Sequence, residues 1–196
     1  KKIFPFFFIQ FFIVGLGESI VGPLIPVLLA NFGISLDIIG FVLSLNAFGI
    51  LLASLFSGII SERFGKKNIL ILGNILFVIS FLGVYISNHF LYFSISYITF
   101  GISLGIINVS CFSIISDVSR LNISKAILRL NIGPILGMFL APALVSGILF
   151  FKISWRYLFL SVALVNLILL ILILSSKIEG LSNKKNSENF ENLFVV

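Results

Sequence analysis

Six long apolar stretches, separated by short polar or charged breaks, organise the chain. The first runs from about Phe4 to Ala30 and is interrupted only by Gln10, Glu18 and turn-type residues. The second runs from Ile38 to Ile60 and stops at Glu62, Arg63, Lys66 and Lys67. From Asn68 to Ser116 no residue is charged, which is too long for one membrane crossing, and Ser87-Asn88-His89 is the polar cluster inside it. That cluster divides the stretch into a third run, Ile69 to Ile86, and a fourth, Leu91 to Ile115. Ala126 to Phe150 and Tyr157 to Leu174 complete the set, and the sequence turns polar from Ser175. A membrane-spanning helix needs about 20 apolar residues, whereas a membrane strand alternates over about ten. The pattern therefore predicts an all-α transmembrane bundle of six helices over residues 1–174, followed by a cytoplasmic segment over 175–196. The first run is too long for the apolar part of a signal peptide, and no A-x-A-like cleavage site follows it.

Composition removes the alternatives. The 196 residues are 59% hydrophobic and 10% charged, with a mean hydropathy of +1.23, whereas a water-facing surface carries about a quarter or more charged residues. A soluble enzyme and a secreted scaffold are excluded. One cysteine, Cys111, and one histidine, His89, allow no internal disulfide and no recognisable zinc or haem set, so no cofactor is expected. Membrane-embedded proteases fail by count too. The aspartyl type needs two acids sharing a proton, and only Glu18 lies deep in a span. The serine type needs a histidine within a span, and His89 sits in a short connection.

The net charge of +6 is explained by where the cations fall. With a cytoplasmic N-terminus, Lys1 and Lys2 are inside, as are Arg63, Lys66 and Lys67 after the second span. Arg120, Lys125 and Arg129 after the fourth span follow, with Lys177, Lys184 and Lys185 in the tail, eleven of thirteen in all. Only Lys152 and Arg156 fall outside. The positive-inside rule then places both termini in the cytoplasm, in the cell (inner) membrane, and accounts for the basic excess without nucleic acid. A cysteine introduced at Asn88 is expected to react with a membrane-impermeant maleimide added outside intact cells. Labelling only after the cells are opened would invert this topology.

The connection after the second span reads Gly58-Ile59-Ile60-Ser61-Glu62-Arg63-Phe64-Gly65-Lys66-Lys67. A glycine closes the helix, an acid and a base follow one turn later, Gly65 makes the turn, and two cations sit at the anionic inner leaflet. This segment resembles the G-x-x-x-D-R-x-G-R-K/R signature of the major facilitator superfamily. Three more matches fall in order. Gly17 and Gly22-Pro23-Leu24-Ile25-Pro26 are similar to the end of the family's first helix. Gly133, Gly137, Ala141-Pro142 and Gly147 resemble the glycine-rich fifth helix of drug-proton antiporters, and Trp155-Arg156-x-x-Phe159 resembles the entry to the sixth. Three departures stand beside these. Glu62 replaces the usual Asp, Tyr97 occupies the place of an Arg common in proton-coupled members, and Ala141 replaces a glycine.

The resemblance implies the N-terminal half of a twelve-helix fold, built as two inverted three-helix repeats. It implies a secondary active transporter that moves a small solute, with protons as a possible second substrate, by alternating access. Efflux and uptake both stay open. Because Lys1 is not an initiator and the tail ends in mid-pattern, a fragment lacking its C-terminal six-helix half is expected. The alternative is a free-standing six-helix membrane scaffold or receptor that does not transport.

Glu18 is the leading site residue. Burying it ionised costs about 3 kcal/mol or more, so it should face a wet cavity, find a partner or be protonated. Its helical face includes Gly15 and Gly22, with Gln10 at the edge. The resemblance makes Asn46, Tyr97 and Asn108 cavity candidates, since the first, second, fourth and fifth helices line the family's cavity or its rim. Gly133, Gly137 and Ala141, four residues apart, suit a packing groove. Pro23, Pro26, Pro134 and Pro142 suit bending points. Trp155 is expected as an interfacial anchor and Cys111 as a small hydrophobe.

Overall fold

The computed structural model describes residues 4–118 and 123–175, which form seven helices in six crossings. The first crossing is made by α1 (Phe4–Ser19) and α2 (Val21–Phe32) together; α3 (Leu36–Phe64), α4 (Lys66–Ile86), α5 (Phe90–Val118), α6 (Ile123–Phe150) and α7 (Arg156–Ser175) follow. Each predicted run is a crossing, lengthened by a few residues because a helix satisfies its own backbone past the edge of the hydrocarbon. Lys1, Lys2, Arg120 and the segment assigned to the cytoplasm beyond Ser175 lie outside the described residues.

The first crossing breaks at Ile20, between α1 and α2. Pro23 has no N–H for the carbonyl of Ser19, and its ring crowds that carbonyl. Pro26 removes the next turn's bond, to Gly22, so two defects fall within one turn and the helical hydrogen bonding is interrupted just before them, while Ile20 keeps helical angles of φ −61° and ψ −39°. In α6 the prolines are eight residues apart, each defect is flanked by intact turns, and the helix runs unbroken through Pro134 and Pro142.

The crossings pair in a way that mirrors the two repeats. α1 lies along α6 and α3 along α5, the first–fifth and second–fourth contacts of an inverted pair of three-helix units. α4 packs on both α5 and α7. Bare backbone makes the mirrored pairs close. A Cβ on Gly137 would overlap the carbonyl of Phe12 and the amide of Leu16, and one on Gly133 would sit 2.8 Å from the carbonyl of Phe8. On the other side, a Cβ on Gly101 would overlap the carbonyl of Asn46, and one on Gly105 would crowd Ile50 and Ala53. Without a hydrophobic drive between helices in lipid, such small-residue crossings supply the dispersion contact that holds a bundle together.

At the centre, Phe77, Phe81, Phe100 and Phe159 join α4, α5 and α7, with Phe81 4.7 Å from Phe100 and 5.2 Å from Phe159 between ring centroids. Trp155 is not an interfacial anchor. It is buried, edge-on to Phe32, Phe93 and Phe159, and its neighbour Arg156 stacks over the indole while donating to the carbonyl of Ser87 at 2.8 Å. Phe32, Phe93 and Trp155 close one end of the bundle and join the central cluster through Phe159, which takes the indole into a ring packing. Cys111 is fully buried, as expected of a small hydrophobe.

Candidate functional site

Gly17 fixes the depth of the site. A side chain there would strike Phe81 at 2.9 Å and crowd Phe77 and Phe100, so glycine lets the end of α1, the middle of the first crossing, rest on the central aromatic cluster. Glu18 is the next residue, turned by about 100° around the helix, and the break at Ile20 follows within a turn. Its carboxylate is exposed on a face that the rest of the described chain leaves uncovered, together with Gly22 and Pro26. Among the described residues it has no hydrogen-bond or ion-pair partner. It lies within electrostatic reach of Tyr97 on α5.

Tyr97 is buried in a column of rings, parallel to Phe93 at 5.8 Å and tilted against Phe100. Asn46 approaches it from α3 through the main chain: its Nδ2 donates to the carbonyl of Tyr97 at 2.6 Å, inside the helix contact and not on the uncovered face. Asn108 is half-buried on the same face of α5 as Tyr97, three turns and about 16 Å along the axis. The structure therefore brings Glu18, Tyr97 and Asn46 into one neighbourhood and leaves Asn108 apart from it.

The connection between α3 and α4 is a single residue, Gly65, at φ +88°, a conformation that glycine adopts without strain. Its amide caps α3 by donating to the carbonyl of Ser61. Gly58 faces α5, with Val109 4.0 Å from where its Cβ would be. Glu62 and Arg63 are exposed and Lys67 is half-buried. Lys66 Nζ reaches Asp117 Oδ2 at the end of α5, 2.5 Å away. Sequence reasoning placed Asp117 only at a span end. The signal was present, since it is the acid nearest the inner end of the fourth span, but only the antiparallel packing of α4 and α5 puts it beside the loop. Both side chains are partly shielded, so neutralising either is expected to lower stability by about 1 kcal/mol. The exchanged pair, Lys66→Asp with Asp117→Lys, should recover part of that loss in a thermal-unfolding double-mutant cycle, and additive losses would show the pair to be uncoupled.

Asn74 and Asn166 were not singled out from the sequence either. Gln10 of α1 donates to Asn166 of α7 at 3.2 Å, and Asn166 donates to the main-chain carbonyl of Asn74 on α4, so two fully buried side-chain amides and one backbone carbonyl tie three crossings together.

A family model, Major Facilitator Superfamily, matches residues 7–194. The chain belongs to the major facilitator superfamily. It is a member of a transporter family and not of an enzyme family, and it is an integral membrane protein. The quinolone resistance protein NorA of Staphylococcus aureus (strain MRSA252) is 30% identical over 119 residues, 61% of this chain and 30% of that protein. The NorA of strain Mu50 / ATCC 700699 is 29% identical over the same length. Among solved structures, the proton:xylose symporter XylE bound to 6-bromo-6-deoxy-D-glucose superposes with a TM-score of 0.76 at 20% identity, over 89% of this chain and 44% of its own. That likeness is one of fold. The chain thus spans less than half the length of this structure, and the match to NorA covers under a third of that protein.

Proposed function

We propose that this major-facilitator chain is the N-terminal half of a secondary transporter that carries a small solute by alternating access, with proton movement coupled through Glu18. The observation that carries the reading is an acid at mid-membrane depth, set on an uncovered face beside a helix break. Lipid is a costly neighbour for such a group, by about 3 kcal/mol, so the face is suited to a wet cavity shared with a second six-helix half. The Gly58 to Lys67 connection, anchored by Lys66 on Asp117, would act on the cytoplasmic side as a latch held in one access state and released in the other. Both termini then lie in the cytoplasm. The likeness to a quinolone resistance protein favours efflux of an amphipathic solute over uptake.

Solute-driven proton movement tests this in vesicles holding a protein that contains the whole chain and the sequence that follows it. Adding a quinolone to one side should draw protons from the other compartment to the side of addition, as antiport requires, until a protonophore is added. Sugars and other solute classes are screened in parallel. Absence of proton movement with every class would sink the coupling.

A further inference from the structure

The two repeats are not equally well closed. α4 lies against α5 along most of its length, while the matching pair, α1 and α7, meets only over a short stretch. The difference is chemical. In α4, a Cβ at Gly73 would come within 2.9 Å of Ile106 and Ile107, and one at Gly83 would overlap Ser96, so two glycines let α5 settle onto it. α7 contains no glycine, and its branched side chains hold α1 away.

In the angle between α1, α6 and α7 this leaves a cavity of about 150 Å³, lined by Phe12 and Leu16 of α1, Leu144 of α6, and Leu158, Val162 and Val165 of α7. The wall is carbon. Its one hydroxyl, Ser161 Oγ, already donates to the carbonyl of Leu158 at 2.8 Å, so water, which needs two to four polar partners, has none to use. A crevice with a carbon wall and an open mouth leaves its lining side chains short of dispersion partners unless an apolar group enters it. The mouth is continuous with exposed apolar surface, because Val165 at its rim and Leu164 and Ile168 beside it on α7 are about half exposed. Leu16 and Glu18 lie about 200° apart around α1, so the cavity opens on the side of the bundle away from the uncovered acidic face. What reaches that side in a membrane is hydrocarbon.

We propose that the crevice between α1, α6 and α7 is a lipid site that holds a segment of one phospholipid acyl chain and closes the looser seam of the bundle. The chain enters from the leaflet on the side of the α6–α7 connection, because Leu158 in the first turns of α7 forms one end of the cavity and Val165 near the middle of that helix forms the other.

The test uses protein containing the whole chain in phosphatidylcholine vesicles doped with phosphatidylcholine that carries a mid-chain diazirine. After illumination, labelled residues are mapped by mass spectrometry. Leu16 and Val162, each only 7% exposed, should be labelled along with the lipid-facing Leu164 and Ile168. Labelling confined to the exposed pair would overturn the proposal. Val162→Phe fills the crevice, and it should lower labelling at Leu16 several-fold while leaving Leu164 unchanged; undiminished labelling at Leu16 would also overturn it. A free diazirine-bearing benzene that labels Leu16 where the lipid does not would make the crevice a small-molecule site and refute the acyl chain as its occupant.

Discussion

Glu18→Gln is expected to abolish proton-driven accumulation of solute, leaving only downhill equilibration, while the protein inserts and melts as the native chain does. The amide keeps the size and the hydrogen-bonding capacity of the acid but cannot gain or lose a proton. If the carboxyl is neutral when its face is covered and ionised when water reaches it, the cost of about 3 kcal/mol for a charge in hydrocarbon is what links protonation to the access state. Removing the titration removes the link. Exchange of labelled for unlabelled solute at equal concentrations should survive, because it requires binding and movement but no net proton transfer. Accumulation that persists against a gradient would assign Glu18 a structural role as a donor to a neighbouring helix. Tyr97→Phe should be milder, since the ring stack with Phe93 and Phe100 is kept and only the hydroxyl is lost.

Gly137→Val is expected to have the largest effect on folding. The added carbon atoms would fall on the carbonyl of Phe12 and the amide of Leu16, which are main-chain atoms and cannot rotate away. Overpacking a core costs about 1–3 kcal/mol where side chains can adjust. Here two helices must separate, and the lost crossing is the main contact of the first span. The variant should therefore cost more than that range, out of a total stability of about 5–15 kcal/mol, and be recovered in detergent at a small fraction of the native yield. Gly147→Ala is the control, because a Cβ there meets nothing within 4 Å. A Gly137→Val protein that melts like the native one would mean that α1 and α6 do not cross as closely as this.

Where the spans lie and what family they form were legible in the linear pattern, because lipid imposes a simple rule: every crossing must be apolar and long enough, and every break must be polar. The Gly58 to Lys67 segment, the prolines of the first span and the glycines of the fifth were legible for a related reason. A tight turn, a bend and a close crossing each demand particular residue types whatever surrounds them. Gly133 and Gly137 lie against α1 in the structure, and the interruption of the first crossing at Ile20 falls just before Pro23.

Partnership was not legible. Asn46 and Asn108 look alike in sequence, yet one is sealed inside a helix contact and the other is half-buried three turns below the acid's neighbour, because side-chain surroundings depend on which helix lies alongside. Asn74 and Asn166 are 92 residues apart and become one hydrogen-bonded unit with Gln10 only when α1, α4 and α7 converge. Lys66 and Asp117, 51 residues apart, meet because α4 and α5 run antiparallel. By itself the sequence determined the number, length and order of the spans, since these follow from the transfer free energy of each segment taken alone. The tertiary structure alone decided which polar groups find each other and where the bundle fails to close, since these depend on contacts between segments whose spacing along the chain carries no record of them.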